Sequence, residues 1–310
     1  MNILMLCSAY PNYVPDLLLH GLRKLLGDAA VDYPRKDALY DGVCGPPHLD
    51  RVEGLMPDDR GVDRDDLGDK MANGFFDFVF VDLRAFNESL PLLQRNICPL
   101  AIIDGEDAPT RIAPGPFVIL RRETDGNDNS IPLPMSMPVE VLAWIDRHAD
   151  QPKTHSVGFL GSRSKFTPDR NAMLDELARM FPDGLISSWE IDAQPRGRDE
   201  YYRQMQSCRV VLTLPGAGFD TFRYWENAAC RAVHVAKTMP LFIADDFRQD
   251  REIMRFSGLY ELACIVEKMA RDDLAWQEFG QRSHDWLLAH HTTERRAQQT
   301  LDNLKRAFLR

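Results

Sequence analysis

The stretch RVVLTLPGAGFDTFRYWENAACRAVHVA, from Arg209 to Ala236, contains the pattern that decides the fold. Its first part, Arg209–Leu214, predicts a strand because it is apolar and rich in β-branched side chains. A turn with two glycines follows, then a predicted helix over Asp220–Cys230 and a second strand over Ala232–Ala236. This order is that of a βαβ unit, so the sequence predicts a parallel sheet with helices on its faces.

The same alternation occupies the first half of the chain. Five strands are predicted there: Asn2–Ser8, Ala29–Tyr33, Phe75–Asp82, Leu100–Asp104 and Phe117–Arg121. Helices are predicted over Val14–Gly27 and Glu88–Arg95, and residues 45–74 are expected to form a surface loop with at most one weak helix.

A helix over Val139–Asp150 and a polar stretch precede a second series of strands and helices. The remaining predicted strands are Val157–Gly161 and Leu185–Trp189, and the helices are Arg170–Phe181, Asp199–Ser207, Leu259–Arg271, Leu274–Ala289 and Glu294–Leu309. The predicted class is therefore α/β, with a domain over 1–150 and a second over 151–310 that ends in helices. Two such domains facing each other would leave an interdomain cleft for a ligand.

The composition narrows the function classes. The 310 residues include 37 basic and 47 acidic side chains, and the formal net charge of -10 disfavours nucleic acid as a partner. No apolar run approaches the roughly 18 residues of a transmembrane helix, and the N-terminus lacks the basic leader of a signal peptide. The six cysteines form no Cys-x-x-Cys pair, so reduced thiols and a cytoplasmic location are expected.

Three common motifs are missing from the sequence. The turn after the first strand, Ser8–Tyr13, contains no glycine, which counts against a dehydrogenase that binds a dinucleotide. The chain also has neither a Gly-x-x-x-x-Gly-Lys-Ser/Thr loop nor a Gly-x-Ser-x-Gly elbow. A P-loop kinase and an α/β hydrolase are therefore unsupported.

The turn at Gly216 and Gly218 has two interpretations that weigh equally. Glycines between a strand end and a helix start let the backbone approach a ligand phosphate, which the N–H groups and the helix dipole then face. The alternative is a tight turn that requires positive φ. Asp220 or Thr221 is the candidate cap of the helix that follows, and Thr221 is also a candidate donor-binding residue.

Arg223 and Glu226 lie on one stripe of that helix, three residues apart. They could form an ordinary surface ion pair. However, the helix is short and lies between two buried strands, so an arginine in its first turn is well placed for a phosphate. A carboxylate in its second turn is well placed to accept hydrogen bonds from a ribose diol.

The residues from Gly216 to Cys230 resemble the donor-site motif of GT-B glycosyltransferases, notably the spore-maturation (CgeB-like) and exostosin-like branches. In that motif a glycine loop precedes an Arg-x-x-Glu-Ala-x-Ala-x-Gly helix. This sequence departs from it at Asn227, where alanine is usual, and at Arg231, where glycine is usual. Two N-terminal stretches also resemble CgeB-like proteins: Tyr10–Tyr13 and Asp32–Arg35.

The resemblance implies a GT-B fold with two Rossmann-like domains and an interdomain cleft. A nucleotide-sugar donor would bind the C-terminal domain, and the acceptor and catalytic base would lie mostly on the N-terminal domain. Glu226 would hold the ribose and Arg223 the diphosphate or the sugar. Gly216 and Gly218 would form the loop that faces the phosphates.

Two further groups are candidates for the chemistry. In the loop after the first strand of the second domain, Gly161, Arg163 and Lys165 suit a diphosphate, although loop cations are often merely solvated. Asp104, Glu106 and Asp107 follow a buried strand of the first domain. They could supply the general base that deprotonates an acceptor hydroxyl, or they could form a capped turn.

The sequence predicts no metal site and no cofactor other than the donor substrate. Asp63-Arg64-Asp65 matches an Asp-x-Asp pattern, but such matches arise easily in a loop rich in Asp and Arg. His290-His291 has no carboxylate or cysteine at ligand spacing. His20 and His234 are expected to be buried structural histidines.

The predicted function is metal-independent transfer of a sugar from a nucleotide-diphospho sugar to an acceptor hydroxyl. The acceptor could be a glycan, a lipid-linked sugar, a protein or a small molecule. Two alternatives remain: a GT-B epimerase that acts on the nucleotide sugar itself, and a binding module without turnover.

Overall fold

The computed structural model describes residues 1–40, 54–56, 59, 61–163, 167–187 and 197–308. The chain forms two units. The first comprises residues 1–138, the short segment Leu241–Ala244 and the C-terminal segment from Thr292. The second comprises Val139–Pro240 and Asp245–His291. Each unit has its own parallel sheet and its own core.

The first unit is built on a six-stranded parallel sheet. Its strands are β1 (Ile3–Leu6), β2 (Ala30–Tyr33), β3 (Phe78–Asp82), β4 (Leu100–Asp104), β5 (Val118–Arg121) and β6 (Ile131–Pro132). The spatial order is β2-β1-β3-β4-β5-β6, so the direction of winding reverses between β1 and β3. The helices are α1 (Tyr13–Leu26), α2 (Leu67–Ala72) and α3 (Phe86–Leu93). Every residue of β1 and β3 is buried, which explains their continuous apolar runs.

The second unit contains a five-stranded parallel sheet. Its strands are β7 (His155–Phe159), β8 (Leu185–Ile186), β9 (Cys208–Thr213), β10 (Val233–Lys237) and β11 (Met254–Phe256), in the order β11-β10-β9-β7-β8. Its helices are α4 (Val139–Asp146), α5 (Pro168–Met180), α6 (Arg198–Gln206), α7 (Phe222–Ala229), α8 (Leu259–Arg271) and α9 (Asp273–His290). The core of this unit includes side chains of the central strands, such as Val157, Val210 and Val235, and of α8.

The last described helix, α10 (Thr293–Phe308), packs along α1 of the first unit. Gly21 of α1 permits this contact, because a side chain there would collide with the backbone of Thr293. The chain therefore crosses between the units more than once. The division differs from a single boundary at residue 150, since α4 belongs to the second unit and α10 to the first.

Most predicted strands and helices are present within a few residues of their expected bounds. The sequence analysis missed β6 and β11, which have only two and three residues and so carry almost no periodic signal. The predicted extension of β8 to Trp189 lies outside the described residues. Within the part of the chain that the structure describes, no helix is both long and apolar enough to cross a membrane.

Candidate functional site

The turn after β9 is held by a hydrogen bond from the Gly216 N–H to the Gly218 carbonyl, 2.9 Å long. Gly216 lies outside the left-handed region, so positive φ does not explain this glycine. A Cβ there would meet its nearest neighbour, Thr221 Cγ2, at an ordinary 3.7 Å. Neither backbone conformation nor internal packing therefore requires glycine at 216, because a Cβ there would make only ordinary contacts.

Arg223, in the first turn of α7, reaches the end of β7. Its guanidinium lies over the ring of Phe159, 4.7 Å from the centroid, and its Nη2 donates to the Leu160 carbonyl at 3.0 Å. A Cβ at Gly161 would be 2.5 Å from Nη2 of Arg223. A side chain at position 161 would therefore displace the guanidinium from the place it occupies. The structure thus brings together two residues that the sequence places 62 positions apart.

The charge of Arg223 has no anionic partner among the described residues. Its Nε is buried without a hydrogen bond, and its described contacts are a carbonyl and an aromatic face. The Oγ1 of Thr221, at the start of the same helix, is also buried without a partner. A cation and a hydroxyl are therefore grouped with the N-terminus of α7, an arrangement suited to an anion.

Arg163 is placed differently from the expectation that it faces a diphosphate. It is buried, with Nε donating to the Ser187 carbonyl at 2.8 Å and Nη1 paired with Asp175 at 2.7 Å. The guanidinium thus connects the end of β8 to α5, which is a structural task. Lys165 lies outside the described residues.

Arg170 is a residue that the sequence analysis missed. It lies in the first turn of α5 and donates to the carbonyls of Pro215 at 3.1 Å and Ser162 at 2.6 Å. These carbonyls belong to the loops that follow β9 and β7, so one side chain holds both loops. From the sequence alone, an arginine near a helix start looks like an ordinary solvated cation.

A pocket of about 260 Å³ adjoins the glycine-containing turn. Its wall includes Thr167, Arg170, Met173, Gly216, Phe219 and Lys237. Lys237 is the last residue of β10, and the sequence analysis did not single it out. Its position at the carboxyl edge of a parallel sheet could have identified it as a candidate site residue. The pocket combines apolar side chains with two cations and the carboxylate of Asp169.

Glu226 lies in the second turn of α7 and is completely buried. One carboxylate oxygen accepts from the Tyr201 hydroxyl at 3.1 Å and the other from the Tyr202 hydroxyl at 3.0 Å. The surface ion pair with Arg223, considered above as an alternative, is not formed. The two tyrosines of α6 are partners that the sequence analysis did not identify.

The two departures from the GT-B motif are also visible. Arg231 has φ of 47°, which explains why glycine is usual at this position. Its Nη2 donates to Asp146 at 2.9 Å, so the side chain has acquired a partner in α4. Asn227 is buried and donates to Thr213 Oγ1 at 2.8 Å, which ties α7 to the end of β9.

In the first unit, Asp104 ends β4 and is almost fully buried. Its Oδ2 accepts from the Thr110 N–H at 2.8 Å and from Arg121 Nε at 3.1 Å. Its Oδ1 accepts from the Thr110 hydroxyl at 3.1 Å. Both oxygens are thus engaged in organising the turn that follows the strand.

The other two carboxylates of this cluster also pair with arginines. Glu106 forms a fork with Arg84, at 2.5 and 3.0 Å, and this pairing lowers the pKa of Glu106. Asp107 accepts from Arg122 Nη1 at 2.8 Å through Oδ1 alone, and its side chain is 54% exposed. Of the three carboxylates, that of Asp107 therefore has the oxygen most accessible to solvent.

A fourth carboxylate at this edge, Asp82 at the end of β3, was not singled out from the sequence. Its Oδ1 accepts from Asn12 Nδ2 at 2.9 Å and from the Arg84 N–H at 3.1 Å, whereas Oδ2 is buried without a partner. Burial raises the pKa of Asp82. Asp82 is the last residue of a strand that pairs with β1, and this position could have identified it from the sequence as a candidate site residue.

Among the described residues, no group of three or more His, Cys, Asp or Glu side chains could hold a metal ion. In the Asp-x-Asp match, Asp63 pairs with Lys70, and Arg64 pairs with Asp32. His20 and His234 are buried, as expected of structural histidines.

Comparisons with known proteins bear on the family and the fold. A family model described as "Glycosyl transferase-like" matches residues 170–302, which include the glycine-containing turn and α7. No curated protein sequence matches the chain.

Several solved structures share the fold. HepE from Anabaena, in complex with UDP and glucose, has a TM-score of 0.61 at 14% identity and covers 98% of this chain and 99% of its own. A glycosyltransferase from Rickettsia africae has a TM-score of 0.62 at 10% identity and covers 98% of each chain. Sucrose-phosphate synthase from Thermosynechococcus elongatus has a TM-score of 0.53 at 11% identity and covers 100% of each. The protein therefore has the α/β fold of GT-B glycosyltransferases, as expected, with two parallel sheets.

Proposed function

We propose that this protein is a glycosyltransferase that moves a sugar from a nucleotide-diphospho sugar to an acceptor hydroxyl, without a metal ion. The observation that carries this proposal is the cation of Arg223, which has no carboxylate partner among the described residues. A cation in this position calls for an anionic ligand, because leaving a half-buried charge uncompensated is costly.

A diphosphate fits the geometry around Arg223. The guanidinium is a planar fork that suits phosphate oxygens, and it lies with the N-terminus of α7. Gly216 lines the pocket beside the turn, so a ligand in this pocket would meet the backbone of the turn. Gly218 and Thr221 complete the proposed phosphate site, in which the Thr221 hydroxyl would find its missing partner.

The nucleoside half of the donor is assigned to Glu226. Its two hydrogen-bonding oxygens match a ribose diol, but they accept from tyrosine hydroxyls in the structure. Tyr201 is only partly buried, so its hydroxyl is the one that a ribose would replace. Gly161 contributes indirectly by making room for the guanidinium of Arg223.

The comparisons support a nucleotide sugar as the donor. The glycosyl transferase-like match spans the proposed donor residues of α7, and HepE binds UDP and UDP-glucose. The motif over 216–230 further resembles that of CgeB-like and exostosin-like enzymes, and we propose this branch for the chain.

The acceptor is assigned to the first unit, with a base from the acidic cluster. Asp107 is the member whose oxygen remains accessible, whereas both oxygens of Asp104 and of Glu106 accept hydrogen bonds. In this proposal Asp107 takes the proton of the acceptor hydroxyl as the oxygen attacks the anomeric carbon. Arginine, the helix dipole and backbone N–H groups stabilise the departing diphosphate in place of a metal.

Calorimetric titration with UDP, GDP and their glucose conjugates, in excess EDTA, tests the donor site. Arg223→Met should weaken nucleotide binding by about ten- to a hundredfold, because it removes charge-assisted hydrogen bonds. Arg203→Met is the matched control, since Arg203 is an exposed arginine of α6 that pairs with Glu200. The proposal fails if wild type binds none of these nucleotides, or if Arg223→Met binds them as wild type does.

Release of free nucleoside diphosphate tests the transfer. A glycosyltransferase should release it faster when a suitable acceptor is added, and this release should persist in EDTA. An epimerase would convert the sugar without releasing nucleotide, and a binding module would do neither. Loss of transfer in EDTA that Mg²⁺ or Mn²⁺ restores would contradict metal independence.

A further inference from the structure

The loop after β1 presents an aromatic side chain to solvent. Tyr10 is 77% exposed, although it follows a strand that is entirely buried. A single exposed tyrosine is common on protein surfaces and is not by itself a site. The features that distinguish Tyr10 are its position at the carboxyl edge of the sheet and the way its backbone is held.

A buried ion pair fixes the backbone of Tyr10. The Nζ of Lys36 donates to the Tyr10 carbonyl at 2.9 Å and pairs with the carboxylate of Asp16. Lys36 is 6% exposed and Asp16 is 1% exposed. Burying two charged groups costs free energy of desolvation. Here the buried lysine of the pair also donates a hydrogen bond to the Tyr10 carbonyl, so the pair holds this loop position in place.

Three further contacts hold the same loop. The Ser8 hydroxyl accepts from the Tyr10 N–H at 3.3 Å, and Arg84 Nη1 reaches the Pro11 carbonyl at 3.4 Å. The side chain of Asn12 donates to Asp82 at the end of β3. The backbone is therefore held on both sides of Tyr10, while the ring itself projects into solvent.

This loop lies where ligands bind in parallel sheets. The order β2-β1-β3 reverses the direction of winding between β1 and β3, and the crevice at such a point, beyond the carboxyl ends of the strands, is the usual ligand site. Asp82 at the end of β3 contributes a buried oxygen that lacks a partner. Because the backbone of Tyr10 is held, the point from which its ring extends is organised in advance for a ligand.

We propose that Tyr10 is the platform of an acceptor subsite that binds a neutral sugar ring. The phenol offers an apolar face for the C–H groups of a pyranose and a hydroxyl for hydrogen bonding. The two cations that reach the loop, Lys36 and Arg84, are both engaged by carboxylates, so they do not favour a phosphorylated or otherwise anionic ligand. The proposal rests on the proposed glycosyltransferase function and assigns a carbohydrate as its acceptor.

A glycan array of neutral oligosaccharides, probed with the full chain in the absence of nucleotide, tests this subsite. Tyr10→Ala should lose at least about tenfold in affinity for the glycans that wild type binds, because a stacking face is removed. Tyr10→Phe should stay within about threefold of wild type, since it keeps the ring. Tyr260→Ala is the matched control, because Tyr260 is 84% exposed and lies in the second unit.

Nucleotide titration of the same variants separates the two proposals. Tyr10→Ala should bind UDP as wild type does, and its melting temperature should be nearly unchanged because the side chain is exposed. Wild type that binds no glycan on the array, or Tyr10→Ala that binds glycans undiminished, would overturn the subsite even if UDP binding holds. If glycan binding depends on Tyr10 but the protein binds no nucleotide, the proposed subsite would stand and the proposed glycosyltransferase function would be overturned.

Discussion

The carboxyl edges of the two sheets differ in how their charges are balanced. In the first unit, Asp104, Glu106 and Asp107 each pair with an arginine. In the second unit, Arg223 lies over Phe159 with no carboxylate partner in the described part of the chain. These three carboxylates of the first edge therefore have ionic partners, whereas Arg223 at the second edge has none among the described residues.

This difference indicates which edge is prepared for an anion. An arginine whose Nε is buried without a hydrogen bond has lost hydration, and an anionic ligand beside the guanidinium would offset this loss. A neutral acceptor needs no unpaired charge on the protein, because its hydroxyl groups bind to polar and aromatic surfaces without a compensating charge. The contrast supports the proposed assignment of a charged donor to the second unit and an uncharged acceptor to the first.

The largest expected effect is on catalysis at the balanced edge. If Asp107 is the general base, Asp107→Asn should lower kcat by roughly 10² to 10⁴, the usual range for loss of such a group. Its affinity for UDP should stay at the wild-type value, because the donor is assigned to the other unit. Steady-state kinetics and titration would measure both quantities.

Glu106→Gln is the matched control for this variant, since both oxygens of Glu106 are already engaged by Arg84. Near-normal turnover in Asp107→Asn would show that the cluster is a structural turn. The base would then have to be sought elsewhere, for example at Asp82.

The second expected effect is on stability and compares one arginine from each edge. Arg121→Met leaves Asp104 buried without its ionic partner, which should cost about 3 kcal/mol of unfolding free energy. Arg223→Met removes a cation that has no ionic partner and should change this free energy by less than about 1 kcal/mol. Urea unfolding of both variants measures the difference. Equal losses would mean that the charge of Arg223 is satisfied within the protein after all.

A smaller effect is expected at the nucleoside end of the donor site. Glu226→Gln keeps the shape of the side chain but removes its charge, so UDP affinity should fall by about tenfold. Tyr201→Phe should leave UDP affinity unchanged or improve it, because the Tyr201 hydroxyl competes with ribose for the same oxygen. An unaltered dissociation constant in folded Glu226→Gln would remove Glu226 from the site.

The last expected effect concerns pH. His234, in β10, is fully buried, and burial lowers its pKa to about 3. In the unfolded chain a histidine has a pKa of about 6.5, so between these values the unfolded state binds a proton that the folded state does not. Stability should therefore fall as the pH decreases below about 6.5, with this residue contributing up to about 1.4 kcal/mol per pH unit.

His234→Phe should reduce that slope, since phenylalanine suits the surrounding rings of Tyr224 and Phe247 and does not titrate. Urea unfolding at pH 7, 6, 5 and 4 provides the measurement. A slope identical to wild type would indicate that His234 becomes protonated in the folded protein.

Much of the site depends on features that a sequence pattern does not contain. The pattern placed Gly161 and Arg223 in separate motifs, and their contact arises because β7 and β9 are neighbours in the sheet. Arg163 and Arg170 look alike as loop-proximal arginines. Only their three-dimensional surroundings show that Arg163 connects β8 to α5, whereas Arg170 holds two loops at the pocket.

The sequence by itself determined the α/β class, most of the strands and helices, and the βαβ unit around Arg223, because these depend on local periodicity and turn residues. The tertiary structure decided which charges are balanced, since an ion pair such as Asp104 with Arg121 depends on strands and loops meeting in space. It also decided that α10 packs against α1, where the amphipathic pattern predicts a buried face but not its partner. Tyr10 illustrates both contributions. Its position after the first strand follows from the local sequence, but its contact with Lys36, which lies beyond β2, depends on the tertiary structure.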